Sequence, residues 1–416
     1  MTIMNYHHHQ LVLRRWVSQL TKTRTGCNNY HRSIAWQIPQ QQQRRSVASL
    51  SLDAMLFPYS TARSLGWNNN NKTASSPSSL PSADLQQAIT LVQKHDPAGY
   101  LPGRLLPLPL MQVAYFAVRG FWVETGLRFT KSSSNSSRSV GNALTPHERL
   151  EEWQAGIDQL FSSEDITTRI DNNSTLRLLQ TTRELIQEKH QQSDSQHWQK
   201  SHFDTILQGR RMDLDVKQYD TMEDLIHHAE QSCGELTKLV LLSGGIDAVH
   251  FPVTHEVARL IGICHGLTNA LRTSIPVLST TGKLIVPADL CVQYGVKSPR
   301  YLLSALGQGD EACKLALRHC IRDIAETARQ QLQAARALQP QLRDEHGTSR
   351  HAGNDKTSSY AKAVAVFLPG WAAETFLTRL QQHDYQLTDR NLRSVSRLEH
   401  GKCAWRMLTA SMQQQY

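Results

Sequence analysis

No stretch of eighteen apolar residues occurs in this 416-residue chain. Its most apolar segment, residues 105–123, is interrupted by two prolines and by Arg119, so no membrane-spanning helix is expected. No C-x-x-C pair occurs either. The seven cysteines, Cys27, Cys233, Cys264, Cys291, Cys313, Cys320 and Cys403, are odd in number and scattered. That pattern argues against a disulfide framework or a thiolate zinc site, and for buried thiols in a reducing compartment. The chain also lacks a G-x-S-x-G elbow, a P-loop, an H-E-x-x-H pair and a glycine-rich dinucleotide fingerprint, so the chemistries those motifs position are not expected. Ser243-Gly244-Gly245 follows an apolar run but closes a helical pattern, and is read as a helix stop.

Acidic residues are scarce where basic ones are plentiful. None precedes Asp53, and residues 1–83 hold nine of the 45 Lys and Arg beside that single acid, leaving 36 basic and 35 acidic residues for the rest of the chain. The net charge of +9 therefore belongs to the leader. A basic arm for RNA would carry its charge into the folded part, so no nucleic-acid partner is expected. In the leader Leu13, Trp16, Val17 and Leu20 fall at i, i+3, i+4 and i+7 beside Arg14 and Arg15, with Ser, Thr and Gln between the basic residues. This is the composition of an organelle presequence. Residues 1–50 are read as a mitochondrial transit peptide, a plastid address being the alternative, with Arg45-Ser46 as the candidate cleavage point. His7, His8 and His9 lie in this leader and are read as incidental rather than as a metal site.

Residues 51–83, with four consecutive Asn and a Ser/Pro-rich run, bury too little apolar surface to fold and are read as a polar linker. Folding is expected over 84–416, with polar loop insertions near 131–144 and 343–359. Between them the apolar period is helical and no alternating strand pattern competes, so the fold class is all-α. Helices are expected over 84–94, 111–128, 174–190, 310–338, 362–367 and 372–382. Another is expected from Thr145, where Thr-Pro-His-Glu spells a capping box. One more runs from Met222 to about Val240, and one from about His255 to just before Pro276.

Four segments then bear a resemblance. They are L-V-Q-K-H-D-P-A-G-Y with L-L-P-L-P-L (91–110), A-Y-F-A-V-R-G-F-W-V-E-T-G (114–126), G-R-R-M-D-L-D-V-K-Q-Y-D-T-M-E-D-L (209–225), and the stretch 260–295 containing I-G-I-C-H-G-L-T-N-A-L-R. In this order and spacing they resemble the squalene/phytoene synthase family over residues 84–340 and, more weakly, the C-terminal helices. Within it the chain is most similar to a branch of mitochondrial complex I assembly factors. The resemblance implies an isoprenoid-synthase type helical bundle in a single domain.

Head-to-head prenyl coupling ionises an allylic diphosphate, whose departing charge needs Mg²⁺ ions held by carboxylates. The family supplies these as Asp at i and i+4 on two facing helices, one helical face with Cβ atoms about 5 to 6 Å apart. By the resemblance, Trp122 and Gly126 stand at the first pair of positions and Thr273 and Val277 at the second. No acid lies between Glu256 and Asp289, and a lone Glu124 cannot anchor a magnesium cluster. Asp220-Thr221-Met222-Glu223-Asp224 has the D-x-x-E-D spelling of a prenyl-synthase motif, but opens a helix with Asp220 as N-cap and Glu223 at N3. The acid pairs Glu148/Glu152 and Glu184/Glu188 are read as solvated faces.

Arg119, Asp213, Tyr219, Asn269, Arg272 and Lys283 match other family positions. They are read as buried partners holding helices together, or, for Arg119, Arg272 and Lys283, as groups facing an anionic head group. The functional expectation is a pseudoenzyme with no metal and no cofactor, assembling respiratory complex I on the matrix side of the inner membrane. Its partners would be complex I subunits or assembly intermediates. Peripheral lipid contact is expected through residues 105–121, and a prenyl lipid is a possible occupant of the former cavity. The alternatives are a prenyl diphosphate synthase or transferase, and a non-catalytic prenyl-lipid carrier.

Overall fold

Apolar residues three and four apart build the secondary structure. The helices are α1 (Ser82–His95), α2 (Pro97–Arg104), α3 (Pro109–Leu127), α4 (Pro146–Phe161), α5 (Ser174–His190), α6 (Lys200–Asp215), α7 (Met222–Ala229), α8 (Glu235–Ser243), α9 (Pro252–Thr281), α10 (Ala288–Tyr294), α11 (Pro299–Gln308), α12 (Glu311–Ala337), α13 (Gln339–Thr348), α14 (Ser359–Val366), α15 (Pro369–Gln382) and α16 (Arg397–Gln413). This computed structural model describes residues 82–127, 144–162, 173–190, 197–348, 358–389, 392 and 397–416, and no strand occurs among them. The all-α expectation holds. The expected presequence, almost all of the linker and residues 131–143 lie outside the described residues.

Local chemistry sets the helix starts. The Thr145 hydroxyl accepts from the Glu148 amide at 3.2 Å while the Glu148 carboxylate accepts from the Thr145 amide at 2.6 Å, closing the capping box of α4. Leu150, Trp153, Ile157 and Leu160 then form its buried stripe. Asp96 caps α2 with its carboxylate alone, accepting from the Gly99 amide. The long helix α9 is capped from a distance. Glu345 of α13 accepts from the Val253 and Thr254 amides at 2.8 and 3.0 Å and from the Thr254 hydroxyl at 2.5 Å, which meets the exposed donors and the positive end of the α9 dipole together.

α9 lies at the centre. It packs along α12 on one side and against α7, α8 and the π-helical turn Glu230–Gly234 between them on the other. Here two backbones nearly touch: a Cβ at Gly262 would lie 2.4 Å from the Gly234 Cα, and one at Gly266 would lie 2.6 Å from the Ala229 Cβ. Only hydrogen fits at 262. The approach buries Val257, Ile261, Cys264, Leu267 and Leu271 against the neighbouring helices, at about 25 cal/mol per Å² of apolar surface removed from water.

Four expectations need correction. α9 does not stop before Pro276 but runs through it to Thr281. Around the proline, hydroxyls fold back onto their own helix: Thr273 and Ser274 turn onto carbonyls upstream, Ser279, Thr280 and Thr281 onto those of Pro276 and Val277. The single helix expected from Met222 to Val240 is divided by the π turn, whose extra residue sets Gly234 against Gly262. Residues 343–348 of the expected polar loop are helical, because Glu345 is anchored on α9. Residues 105–121 are no membrane face: Leu106, Met111, Phe116 and Phe121 are each buried in the core. No helix among the described residues is long and apolar enough to cross a membrane.

The Gly262→Ala variant should lose about 2 kcal/mol of stability by overpacking, read as a lower urea midpoint. Gly307→Ala, whose Cβ meets nothing within 4 Å in the exposed face of α11, should gain about 0.5 kcal/mol.

Candidate functional site

The helices α3 and α9 carry most of the predicted positions. On α3, Arg119 is buried with its Nη1 donating to Asp96 at 2.6 Å, and its guanidinium lies over the rings of Tyr115 and Trp122 at 5.4 and 5.8 Å. Tyr115 donates to the Gly99 carbonyl at 2.6 Å, so Asp96, Gly99, Tyr115 and Arg119 tie α2 to α3. Burial alone would favour a neutral Arg119, but Tyr115 and Asp96 outweigh it and raise its pKa. Burial raises that of the Tyr115 hydroxyl.

At Trp122 and Gly126, the two positions on α3 where acids were expected to be missing, lies a cation. Arg210 of α6 stacks on the Trp122 ring at 4.4 Å, donates to the Trp122 carbonyl at 2.5 Å and to the Thr125 hydroxyl at 3.4 Å, and reaches Asp213 at 2.9 Å. A Cβ at Gly126 would meet Arg210 Nη2 at 2.9 Å. The guanidinium thus fills the room that a side chain at 126 would need. Glu124, the one acid on α3, accepts from the Thr175 hydroxyl of α5 at 2.7 Å.

Asp213 completes the clamp. His228 Nε2 contacts its second oxygen at 3.0 Å. Burial would raise this carboxyl, but the hydrogen bond and charge of His228, with Arg210, win and hold it at about 2. Tyr219 is buried with its ring 5.4 Å from His228, and burial followed by the Asp213 charge pushes its hydroxyl up. Lys283 turns elsewhere: its ammonium donates to the carbonyls of Asp213 and Leu214, the latter at 3.0 Å, at the C-terminal end of α6. Burial lowers its pKa.

On α9, Asn269 accepts from Arg272 at 3.4 Å and approaches the Cys233 sulfur at 3.9 Å. Arg272 donates to the Ala372 carbonyl at 3.1 Å and lies 4.7 Å over the Phe376 ring. Burial lowers its pKa, and among the described residues no carboxylate bridges it. Thr273 is exposed with its hydroxyl on the Asn269 carbonyl, and Val277 is half-buried. The one acid of α9, Glu256, is held by Arg259 at 2.7 Å.

The D-x-x-E-D segment is a helix start, shifted by one residue from the expectation. Thr221, not Asp220, is the N-cap, and its box partner is Asp224, not Glu223. Asp220 is held outside the helix because its carbonyl accepts from the Asp289 amide at 3.1 Å. Among the described residues no group of three or more His, Cys, Asp or Glu is placed to hold a metal ion.

Sequence reading missed Arg210, Asp96 and His265. His265 on α9 is buried, and neither ring nitrogen completes a hydrogen bond, although the Pro369 carbonyl comes near. Burial, then Arg119 and Arg272, keep it neutral.

The clamp gives a pH test. The folded Asp213 pKa lies below the unfolded value of about 3.9, so its contribution is complete above that value and is lost as pH falls through about 2. Asp213→Asn should therefore cost up to about 2 kcal/mol at neutral pH, less what solvent screens at a partly exposed side chain. The gap between wild type and variant in urea melts should close toward pH 2.

The family model of squalene/phytoene synthase matches residues 92–399. Among curated relatives, the NADH dehydrogenase (ubiquinone) complex I, assembly factor 6 of Bos taurus is 24% identical over 310 residues, 74% of this chain and 78% of that one. Its counterpart from Mus musculus is 24% identical over 325 residues, 78% of this chain and 82% of that one. Among solved structures, squalene synthase HpnC from Alicyclobacillus acidocaldarius superimposes with a TM-score of 0.51 at 16% identity, covering 73% of this chain and 95% of that one. A dehydrosqualene synthase in complex with ligand gives 0.54 at 14% identity, covering 79% and 96%. The structural likenesses carry the fold, the family match carries the lineage, and both agree with the motifs read from the sequence: the chain belongs to the squalene/phytoene synthase family.

Proposed function

We propose that this chain is a non-catalytic member of the family that serves the assembly of mitochondrial respiratory complex I, working on the matrix side of the inner membrane after removal of a presequence within residues 1–50. The relatives named as complex I assembly factors support the assembly role. The observation that carries the loss of catalysis is the Arg210 guanidinium between Trp122 and Gly126. A departing diphosphate needs divalent cations, and these need oxygen anions. At this wall the group in place is a guanidinium already paired with Asp213, and its donors are spent on Trp122, Thr125 and Asp213. On the facing wall the Thr273 hydroxyl is turned onto its own helix. In this reading the helical surface, rather than a reaction, engages complex I subunits or assembly intermediates.

Purified protein with Mg²⁺ and farnesyl or geranylgeranyl diphosphate should release no diphosphate above background, while a knockout should accumulate complex I subcomplexes with unchanged carotenoid or sterol content. Sustained release abolished by Asp220→Ala would make the chain a synthase or transferase.

One observation favours a second reading, a carrier of a prenyl lipid with an anionic head. The buried His265, with no hydrogen bond completed, lies in the field of Arg119 and Arg272, and the indole nitrogens of Trp122 and Trp371 are likewise buried without a partner. Buried polar groups are ordinarily satisfied, so these atoms call for a water or ligand partner, and in this reading a lipid head supplies it. Native mass spectrometry should then show a stoichiometric lipid that His265→Leu removes; a lipid-free chain excludes the carrier.

A further inference from the structure

The C-terminal helix α16 has two unlike sides. One packs on α14 and α15 through Met407 and Ala410, and beyond the helix Tyr416 is buried, donating to the Ala335 carbonyl at 3.0 Å and accepting at its own carbonyl from Arg336 at 3.1 Å. The other side faces solvent. Trp405 and Met412, seven residues apart and so on one line of the helix, are 44% and 68% exposed. Lys402 and Arg406, four apart, run beside them and are exposed. Thr409 between the lines folds its hydroxyl onto the carbonyls of Trp405 and Arg406.

Charge on this element is one-sided. Its sequence holds Arg397, Lys402 and Arg406 against the single acid Glu399. Past the C-terminal end of the helix, the Gln414 carbonyl accepts from the Tyr360 hydroxyl, which accepts from Arg343 at 3.1 Å. Arg343 in turn lines a groove of about 420 Å³ with Arg336, Gln339 and Asp344.

We propose that the outer face of α16 docks on an anionic lipid bilayer, lying flat in the head-group layer. A single line of apolar side chains on a convex helix offers no concavity for a protein partner's side chains to fill. It suits a soft apolar medium into which Trp405 and Met412 can sink. Lys402 and Arg406 have stems long enough to keep their charges at the phosphate level while the indole sits at the interface. This deepens the reading of an inner-membrane location and replaces the face expected at residues 105–121, which the fold buries.

Flotation of the full chain tests it, using phosphatidylcholine vesicles with and without cardiolipin at low and high salt. The chain should float with cardiolipin vesicles, weakly with neutral ones, and less as salt rises. Lys402→Gln and Arg406→Gln should each lower partition about fivefold, from about 1 kcal/mol per basic residue near an anionic surface. Trp405→Ser with Met412→Ser should lower it at both salt concentrations. Far-UV circular dichroism and the thermal midpoint of each variant should match the parent, since these side chains are exposed. Absence of flotation, or flotation that none of these variants weakens, overturns the proposal. So does a concentration-dependent dimer that the Trp405/Met412 variant dissolves, which would make the face a contact between copies. The assembly role is read separately, from complex I subcomplexes in the knockout, so either claim can fail alone.

Discussion

Two backbones approaching without side chains between them set the geometry of this domain. Gly262 and Gly266 on α9 meet Gly234 and Ala229 where the α7 to α8 segment takes a π turn. Close packing transmits this contact outward, because interiors have few voids in which a displaced helix could be absorbed. The register of the π turn fixes where α8 lies against α3, and α9 fixes α12 on its far side. The placement of α9, and through α8 that of α3, therefore rests on these two close approaches.

Electrostatics then separates the charged residues into two groups. One is satisfied: Arg119 with Asp96, and Arg210 with Asp213 and His228. The first joins α2 to α3 and the second α6 to α7, and removing one partner would leave a buried charge uncompensated. The other group, Arg272 and His265, has carbonyl and ring contacts or completes none, with no carboxylate among the described residues in contact with it and Asp96 acting on Arg272 only through its field. Family positions that read alike in sequence thus divide by environment.

Much of the fold was legible from the sequence because it rests on short-range chemistry. The α4 box, the apolar stripes of α9 and α12 and the helix stop at Gly244 are spelled within a few residues. The Asp96-Pro97 start of α2 carried the same kind of signal and was overlooked. What the sequence hid depends on distant partners. Proline at 276 reads as a stop although the helix runs through it, and Glu345 reads as loop until α9 is seen to need a cap. Residues 105–121 are apolar whether they face lipid or core, so composition could not give their direction. Arg210 and Trp122 are 88 residues apart, and no local pattern joins them. His265 sits inside an apolar helical stripe where nothing marks it as unsatisfied.

The Arg210 clamp has an evolutionary corollary. A carboxylate arising at 126 would collide with, and pair to, a guanidinium already in place, so it would gain a salt bridge rather than a free ligand. Losing Arg210 first would leave Asp213 to His228 alone and loosen α6 from α3. A cation site at this wall would therefore demand simultaneous changes on separate helices, each harmful or idle by itself, so the clamp would act as an epistatic barrier to one.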